Sequence, residues 1–384
     1  MKILHIISSS GMYGAEAVIL NLSRILTERG DCSLLGVFSN SPNPNLQLHE
    51  MAMKERIESH LIPCTGQVDR AAIAAIRELA VSSGTDVVHA HGFKADVYAY
   101  FALRGTDVPF VSTCHTWYDT DWLVTLYGRI DRLVLRRFAR VVAVSEEVRQ
   151  QLLAAGVRED RVCMVRNGID LRPFANAAPT PRAEMGTGET AIVGLIGRLA
   201  HSKGVDIFLE AAARVLATGA EARFVIVGEG DDREELERMI DELKIRDHVT
   251  MLGRRDDMPS VYASLDIMVS ASRQEGLPMA ILEGMATGLP LVATTVGEVP
   301  TLVQEDRTGK LVPPEDAEQL AGAIAELLHD PAKRAALGAA ARRLIENEYS
   351  AQRMTDDYLR VYEEAIALTK DRSGAASTSQ GSVR

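Results

Sequence analysis

The chain has 384 residues, enough for two domains at about 150 residues each. With 46% hydrophobic and 25% charged residues it reads as a folded globular protein, and no apolar run approaches the roughly 20 residues that span a bilayer. Its net charge, 42 − 53 = −11, argues against nucleic acid as a partner. The acidity is unevenly shared: residues 1–170 carry 18 Lys+Arg against 19 Asp+Glu, and residues 171–384 carry 24 against 34. Cys32, Cys64, Cys114 and Cys163 show no paired spacing and read as reduced thiols of a cytoplasmic protein. The opening "MKILHIISSS" has too short an apolar stretch for a signal peptide and no cleavage site after it.

In chain order, "KILHII", "SLLGVF", "DVVHAH", "PFVSTCH", "RVVAVS" and "VCMVRN" read as strands, with amphipathic helices such as "AEAVILNLSRILTERG" and "AAIAAIRELAVSSG" between them. Residues 171–190 lack a period and are rich in Ala, Pro, Thr and Gly, which predicts a linker. The strand pattern then resumes with "AIVGLIG", "RFVIVG", "VTMLG", "LDIMVS", "LPLVAT" and "GKLVPP". Continuous apolar strands alternating with helices predict two α/β domains, 1–170 and 191–349, each a parallel sheet covered on both faces. Residues 350–368 predict a helix returning to the first domain, and the polar, small-residue stretch 369–384 predicts a disordered tail.

In "LDIMVSASRQEGLPMAILEGMATG", a buried strand exits through a loop into a helix whose first residue is expected to be Pro278, where a missing N–H costs little. That helix start would aim free N–H groups at the strand ends, a place for an anion. Glu275 and Glu283 have two readings: one caps the helix and the other faces solvent, or both serve a site. Arg198 and Lys203, on the exit loop of "AIVGLIG", would bring two cations to the same edge, suited to phosphate oxygens.

The ordered series "GRLAHSKGVDIFLEAA", "FVIVGEG", "VTMLGRRDDMPSVYASLDIMVSASRQEGLPMAILEGMATGLPLVATTVGEVP" and "TGKLVPPED" resembles the retaining glycosyltransferases of family 4, over roughly residues 2–368. The Glu-x7-Glu spacing of Glu275 and Glu283 is its most specific element. The resemblance implies the GT-B architecture, two Rossmann-like domains facing each other across a cleft, and a nucleotide-sugar donor held mainly by the second. It implies that Arg198 and Lys203 hold the diphosphate and stabilise the leaving group. Glu275, with the backbone of Gly276, Leu277, Pro278 and Met279, would hold the donor sugar, and Glu283 the ribose. Gly14 matches the glycine that lets the backbone approach the diphosphate, His115 a histidine that contacts the donor sugar, and His91 a cleft-lining position. His89 reads as structural.

Other motifs are set aside. Gly11-x-x-Gly14 lacks a dinucleotide fingerprint, and Gly228-Glu229-Gly230 has no third glycine. "YDTDW" imitates a metal-binding Asp-x-Asp in the wrong frame. His89 and His91 share a strand face without an evident third ligand. No metal or other cofactor is therefore expected, the cations and helix dipole supplying the positive charge. The resemblance favours a front-face, dissociative path in which the departing phosphate takes the acceptor's proton. Glu298 and Thr301 depart from the family's usual Gly-Gly-x-Pro-Glu.

The acceptor is expected to be a saccharide or lipid-linked, in cell-surface polysaccharide or glycolipid synthesis, with a UDP-sugar as favoured donor. "YGRIDRLVLRRFAR", Tyr127 to Arg140, carries five Arg and one Asp. It reads first as a core helix with a solvated Arg face, and alternatively as a peripheral contact with anionic lipid on the inner face of the membrane. A sugar-nucleotide epimerase, or a catalytically weak nucleotide-sugar binder, is the alternative function.

Overall fold

The computed structural model describes residues 1–9, 11, 14–41, 44–66, 69–114, 130–180, 184–185, 190–275 and 278–380, without the side chains of 372–380. Two compact units emerge: Met1–Gly168 with Ala351–Arg384, and Ile169–Ser350.

The first unit runs β1 (Lys2–Ile7), α1 (Gly14–Glu28), β2 (Cys32–Ser41), α2 (Gln47–Lys54), β3 (Glu58–Thr65), α3 (Arg70–Ser82), β4 (Val87–His91), α4 (Phe93–Leu103) and β5 (Phe110–Cys114). There follow α5 (described over 130–135), β6 (Arg140–Ala143), α6 (Glu146–Ala154) and β7 (Val162–Met164). These strands form one parallel sheet in the order β3-β2-β1-β4-β5-β6-β7. The order reverses beside β1, whose neighbours are β2 and β4, and such a switch point opens a ligand crevice at the strands' carboxyl ends.

The second unit runs α7 (Arg172–Ala175), β8 (Ala191–Ile196), α8 (Val205–Ala217), β9 (Ala222–Val227), α9 (Arg233–Glu242), β10 (Val249–Gly253) and α10 (Met258–Ala263). It continues through β11 (Ile267–Ser270), α11 (Met279–Ala286), β12 (Leu291–Thr294), α12 (Val299–Leu302), β13 (Gly309–Val312), α13 (Ala317–His329) and α14 (Pro331–Glu348). Its parallel sheet is ordered β10-β9-β8-β11-β12-β13, with the switch between β8 and β11. Strands such as β8 and β11 are buried nearly throughout because helices cover both faces of each sheet.

Helix α15 (Ala351–Gln380) belongs to the first unit. Met354, Tyr358, Val361, Tyr362 and Ala365 recur at helical spacing and pack on Ile3, Val18, Leu22, Val87 and Val142.

Three features differ from the sequence expectations. Strand β3 was not anticipated, because its burial alternates along "ESHLIPCT" instead of running continuously apolar, as befits a sheet edge. The stretch 171–190 is built into the second unit where it is described: Phe174 stacks edge-on against Tyr262 at 6.0 Å and Met185 is fully buried. The tail is helical to Gln380, against the disorder expected over 369–384. Once the docked turns nucleate α15, adding residues such as Ala375 and Ala376 costs little, so polar composition alone does not end the helix.

Candidate functional site

In the second unit the chemistry collects where β8 and β11 end. Strand β8 gives way to Gly197 and Arg198, and a tight 3-10 turn over His201–Lys203 leads into α8. Gly204 is required there: its φ is +62°, and a Cβ would sit 1.9 Å from the Ala271 carbonyl oxygen. That close approach presses the Lys203 turn onto the exit of β11. Gly228 plays a like part, since a Cβ on it would fall 1.9 Å from the Gly197 oxygen. The Gly-x-Gly at 228–230 thus backs the Arg198 loop, with Leu199 N donating to the Glu229 oxygen at 3.0 Å.

The exit loop of β11 is clamped by Arg273, which sequence reading passed over. Its guanidinium forks onto Asp206 at 2.8 and 2.7 Å, donates to the His201 oxygen at 2.7 Å and pairs with Glu315. Its own N–H donates to the Ser202 oxygen at 2.9 Å. One side chain therefore ties the Lys203 turn, the start of α8 and the Glu275 loop together. Only a three-segment contact explains it, and the run "RQEG" alone carries no sign of that.

Lys203 Nζ donates to Glu275 Oε1 at 2.5 Å, and Ser272 Oγ donates to the same oxygen at 2.7 Å. The Glu275 side chain is only 9% exposed, so it is an engaged carboxylate and not a helix cap. Helix α11 begins at Met279, one residue later than expected: Pro278 precedes it at φ −75°, ψ 114°, in the extended conformation. Arg198 is exposed and makes no ion pair among the described residues. Glu283 does not face solvent: it is mostly buried and accepts from Tyr262 Oη at 2.8 Å. Burial raises its pKa, and the Tyr262 bond only partly offsets this.

Arg198, Lys203, Glu275, Pro278 and Met279 line one cavity of about 160 Å³ at the carboxyl ends of β8 and β11. It joins two cations, a carboxylate and the N-terminus of α11, whose first N–H groups have no partner in a preceding turn. Such a set has the charge and the donors to receive a phosphate-bearing anion, with a carboxylate beside it to accept from hydroxyls.

In the first unit Gly14 opens α1 and His91 ends β4, beside Ile7 of β1, so both lie at that sheet's switch point. His91 is buried, its Nε2 hydrogen-bonded to His5 Nδ1 at 3.1 Å. His89 spans Tyr362 Oη at 2.8 Å and Thr113 Oγ1 at 2.7 Å. His5 is the third histidine that the sequence did not reveal: ligating atoms of His5, His89 and His91 lie within 4.8 Å of one another. As placed they form a hydrogen-bonded network, both His89 nitrogens being engaged. Burial holds His5 down to a pKa of about 3. His115, Gly276 and Leu277 lie outside the described residues, as does "YDTDW". The four cysteines are free thiols.

Two family models match the chain: "Glycosyl transferases group 1" over residues 181–344 and "Glycosyltransferase Family 4" over 12–172. Alpha-D-kanosaminyltransferase of Streptomyces kanamyceticus is 32% identical over 297 residues, covering 72% of this chain and 77% of that protein. N-acetyl-alpha-D-glucosaminyl L-malate synthase of Bacillus anthracis is 26% identical, covering 96% of each. Among solved structures, HepE of Anabaena, in complex with UDP, superposes with a TM-score of 0.82 at 23% identity, over 94% of this chain and 100% of that one.

Proposed function

The chain belongs to glycosyltransferase family 4, with the GT-B architecture, and we propose that within it the protein is a retaining, metal-independent transferase that uses a UDP-sugar. The acceptor is a saccharide or a lipid-linked group, and the product serves cell-surface polysaccharide or glycolipid synthesis on the cytoplasmic side. One observation carries the reading. Arg198, Lys203, Glu275 and the start of α11 meet in a single cavity at the carboxyl ends of β8 and β11.

In this reading Arg198 and Lys203 receive the diphosphate. Lys203 has three N–H donors, so it can hold a phosphate oxygen while keeping Glu275 oriented. Glu275 accepts from the donor sugar's hydroxyls, joined by the backbone of Gly276, Leu277, Pro278 and Met279. Glu283 accepts from the ribose, its second oxygen being fixed by Tyr262. As the sugar–phosphate bond breaks, negative charge grows on the diphosphate in front of two cations and a helix N-terminus. Fixed charges aimed at that change lower the barrier, and they supply what a divalent ion supplies elsewhere. The departing phosphate oxygen then takes the acceptor's proton on the same face, which retains the configuration. Gly14 and His91, at the switch point of the first unit's own sheet, and His115 are the residues of that unit to which the reading gives a binding role. The UDP assignment draws on the nucleotide that HepE was solved with.

The test is transfer from a UDP-sugar in excess EDTA, with the product's anomeric proton followed by NMR. A product of the donor's own anomeric configuration, formed at an undiminished rate, is expected. An inverted product, or a rate that returns only with a divalent ion, would overturn the proposal. Conversion of the sugar nucleotide without any acceptor would point to the epimerase.

A further inference from the structure

We propose that the first unit carries a ligand surface of its own: a docking face for an anionic phospholipid bilayer, at the amino ends of its strands, away from that sheet's switch-point crevice. An open cavity of about 650 Å³ is lined by Arg136, Arg137, Arg158 and Arg161, with Tyr100 and Leu133. Each of these residues lies near the end of a helix or on the connection that leads from it into the next strand. Tyr100 is in the last turn of α4 before β5, Leu133 to Arg137 lead from α5 into β6, and Arg158 and Arg161 lie between α6 and β7. In a parallel sheet such connections gather at the amino ends of the strands, whereas the transfer chemistry sits at the carboxyl ends. The cavity therefore lies at the other end of this sheet from the switch-point crevice between β1 and β4.

Its charge is one-sided. No carboxylate is among the residues lining it, in a chain of net charge −11. Arg136 is fixed through Nε and Nη2 to the neutral Ala155 oxygen, at 2.9 and 2.7 Å. Arg161 Nη1 donates to the Arg136 oxygen at 2.7 Å. Arg158 forks onto Asp160, and the nearby Glu159 is taken by Arg149. Arg136 and Arg137 make no ion pair among the described residues.

Apolar side chains next to the cavity decide which anion fits: Leu133 lines it, Ile130 lies one turn before Leu133 on α5, and Phe101 follows Tyr100 on α4. Leu133 is 60% exposed, Ile130 38% and Phe101 49%, Phe101 standing edge-on to Tyr100 at 5.3 Å. Val134 and Leu135 of the same helix are buried, as is Phe138 just after it, so α5 is neither a pure core helix nor a purely solvated one. A soluble phosphate would leave those three exposed side chains unused. A bilayer uses both sets: headgroup phosphates on Arg136 and Arg137, and Leu133, Ile130 and Phe101 at the acyl boundary. The face is thus an electrostatic and apolar anchor made by α4, α5 and the α6–β7 connection.

The test is flotation of the full chain with vesicles of phosphatidylcholine alone, or of phosphatidylcholine mixed with phosphatidylglycerol. Binding is expected to the mixed vesicles only, weakening with salt. Each arginine near a charged surface contributes roughly 5-fold, so Arg137→Gln should lower the partition about 5-fold and Arg136→Gln/Arg137→Gln about 25-fold. Because the Arg137 side chain makes no hydrogen bond or ion pair among the described residues, its replacement separates lost binding from lost folding. Leu133→Ser should also weaken flotation at unchanged charge. Absence of flotation with the mixed vesicles, equal flotation with both compositions, or indifference to Arg137→Gln would overturn the proposal. Thermal stabilisation by inorganic phosphate that Arg137→Gln abolishes, without vesicle binding, would assign the cavity to a soluble anion and overturn it equally.

Discussion

His5 should make the first unit acid-labile in a way that one substitution removes. The residue is fully buried on β1, and desolvation holds its pKa down to about 3 from 6.5. Between those values the unfolded chain binds a proton that the folded chain refuses. Stability is therefore intact above about 6.5 and falls as the pH drops toward about 3. At 1.36 kcal/mol per pH unit, moving from pH 7 to about pH 5 crosses roughly 1.5 units of that window and removes about 2 kcal/mol. His5 is not exposed to solvent, so no screening discount applies. The assay is urea unfolding at both pH values, followed by tryptophan emission, because both tryptophans, Trp117 and Trp122, belong to the first unit's sequence. The comparison is His5→Asn, which lacks the titration. Wild type should lose about 2 kcal/mol more than the variant over that interval. Equal losses would show that His5 is protonated in the folded state, and the buried network as described would be wrong.

Three further outcomes follow from the same geometry. Tyr362→Phe removes the buried bond to His89 Nδ1, which should cost about 0.5–1.5 kcal/mol by thermal unfolding; an unchanged midpoint would contradict it. Gly204→Ala drives a Cβ into the Ala271 oxygen at a positive φ, so it should displace the Lys203 turn and abolish nucleotide binding in a titration, while full affinity would contradict the packing. Glu283 has a raised pKa through burial, and only its ionised form accepts fully from a ribose. Nucleotide affinity should thus rise with pH through a midpoint above the ordinary glutamate value, and Glu283→Gln should flatten that dependence.

Much of this was legible in the sequence because buried parallel strands announce themselves as continuous apolar runs. The six runs of the second half, "AIVGLIG" to "GKLVPP", each contain a strand, β8 to β13. Glu275, Arg198 and Lys203, which line one cavity, stand out in the sequence because each follows such a run, at the end where a parallel sheet opens its crevice. What was missed lacks that local signature. β3 alternates at an edge, and the helix over 369–380 continues by propagation rather than by composition. Arg273 matters through Asp206 and Glu315, which lie 67 and 42 residues away. His5 meets His91 across 86 residues, a pairing set by the register of β1 on β4 and not by any motif.

The central claim, a metal-free diphosphate site at Arg198, Lys203 and the start of α11, is tested most directly by thermal shift with UDP, GDP and ADP in EDTA, on wild type and Lys203→Ala. A ligand at about 100 times its dissociation constant should stabilise by roughly 2.7 kcal/mol. The account predicts a shift with UDP that Lys203→Ala abolishes. Silence with every nucleotide, or a shift that survives Lys203→Ala undiminished, would contradict it.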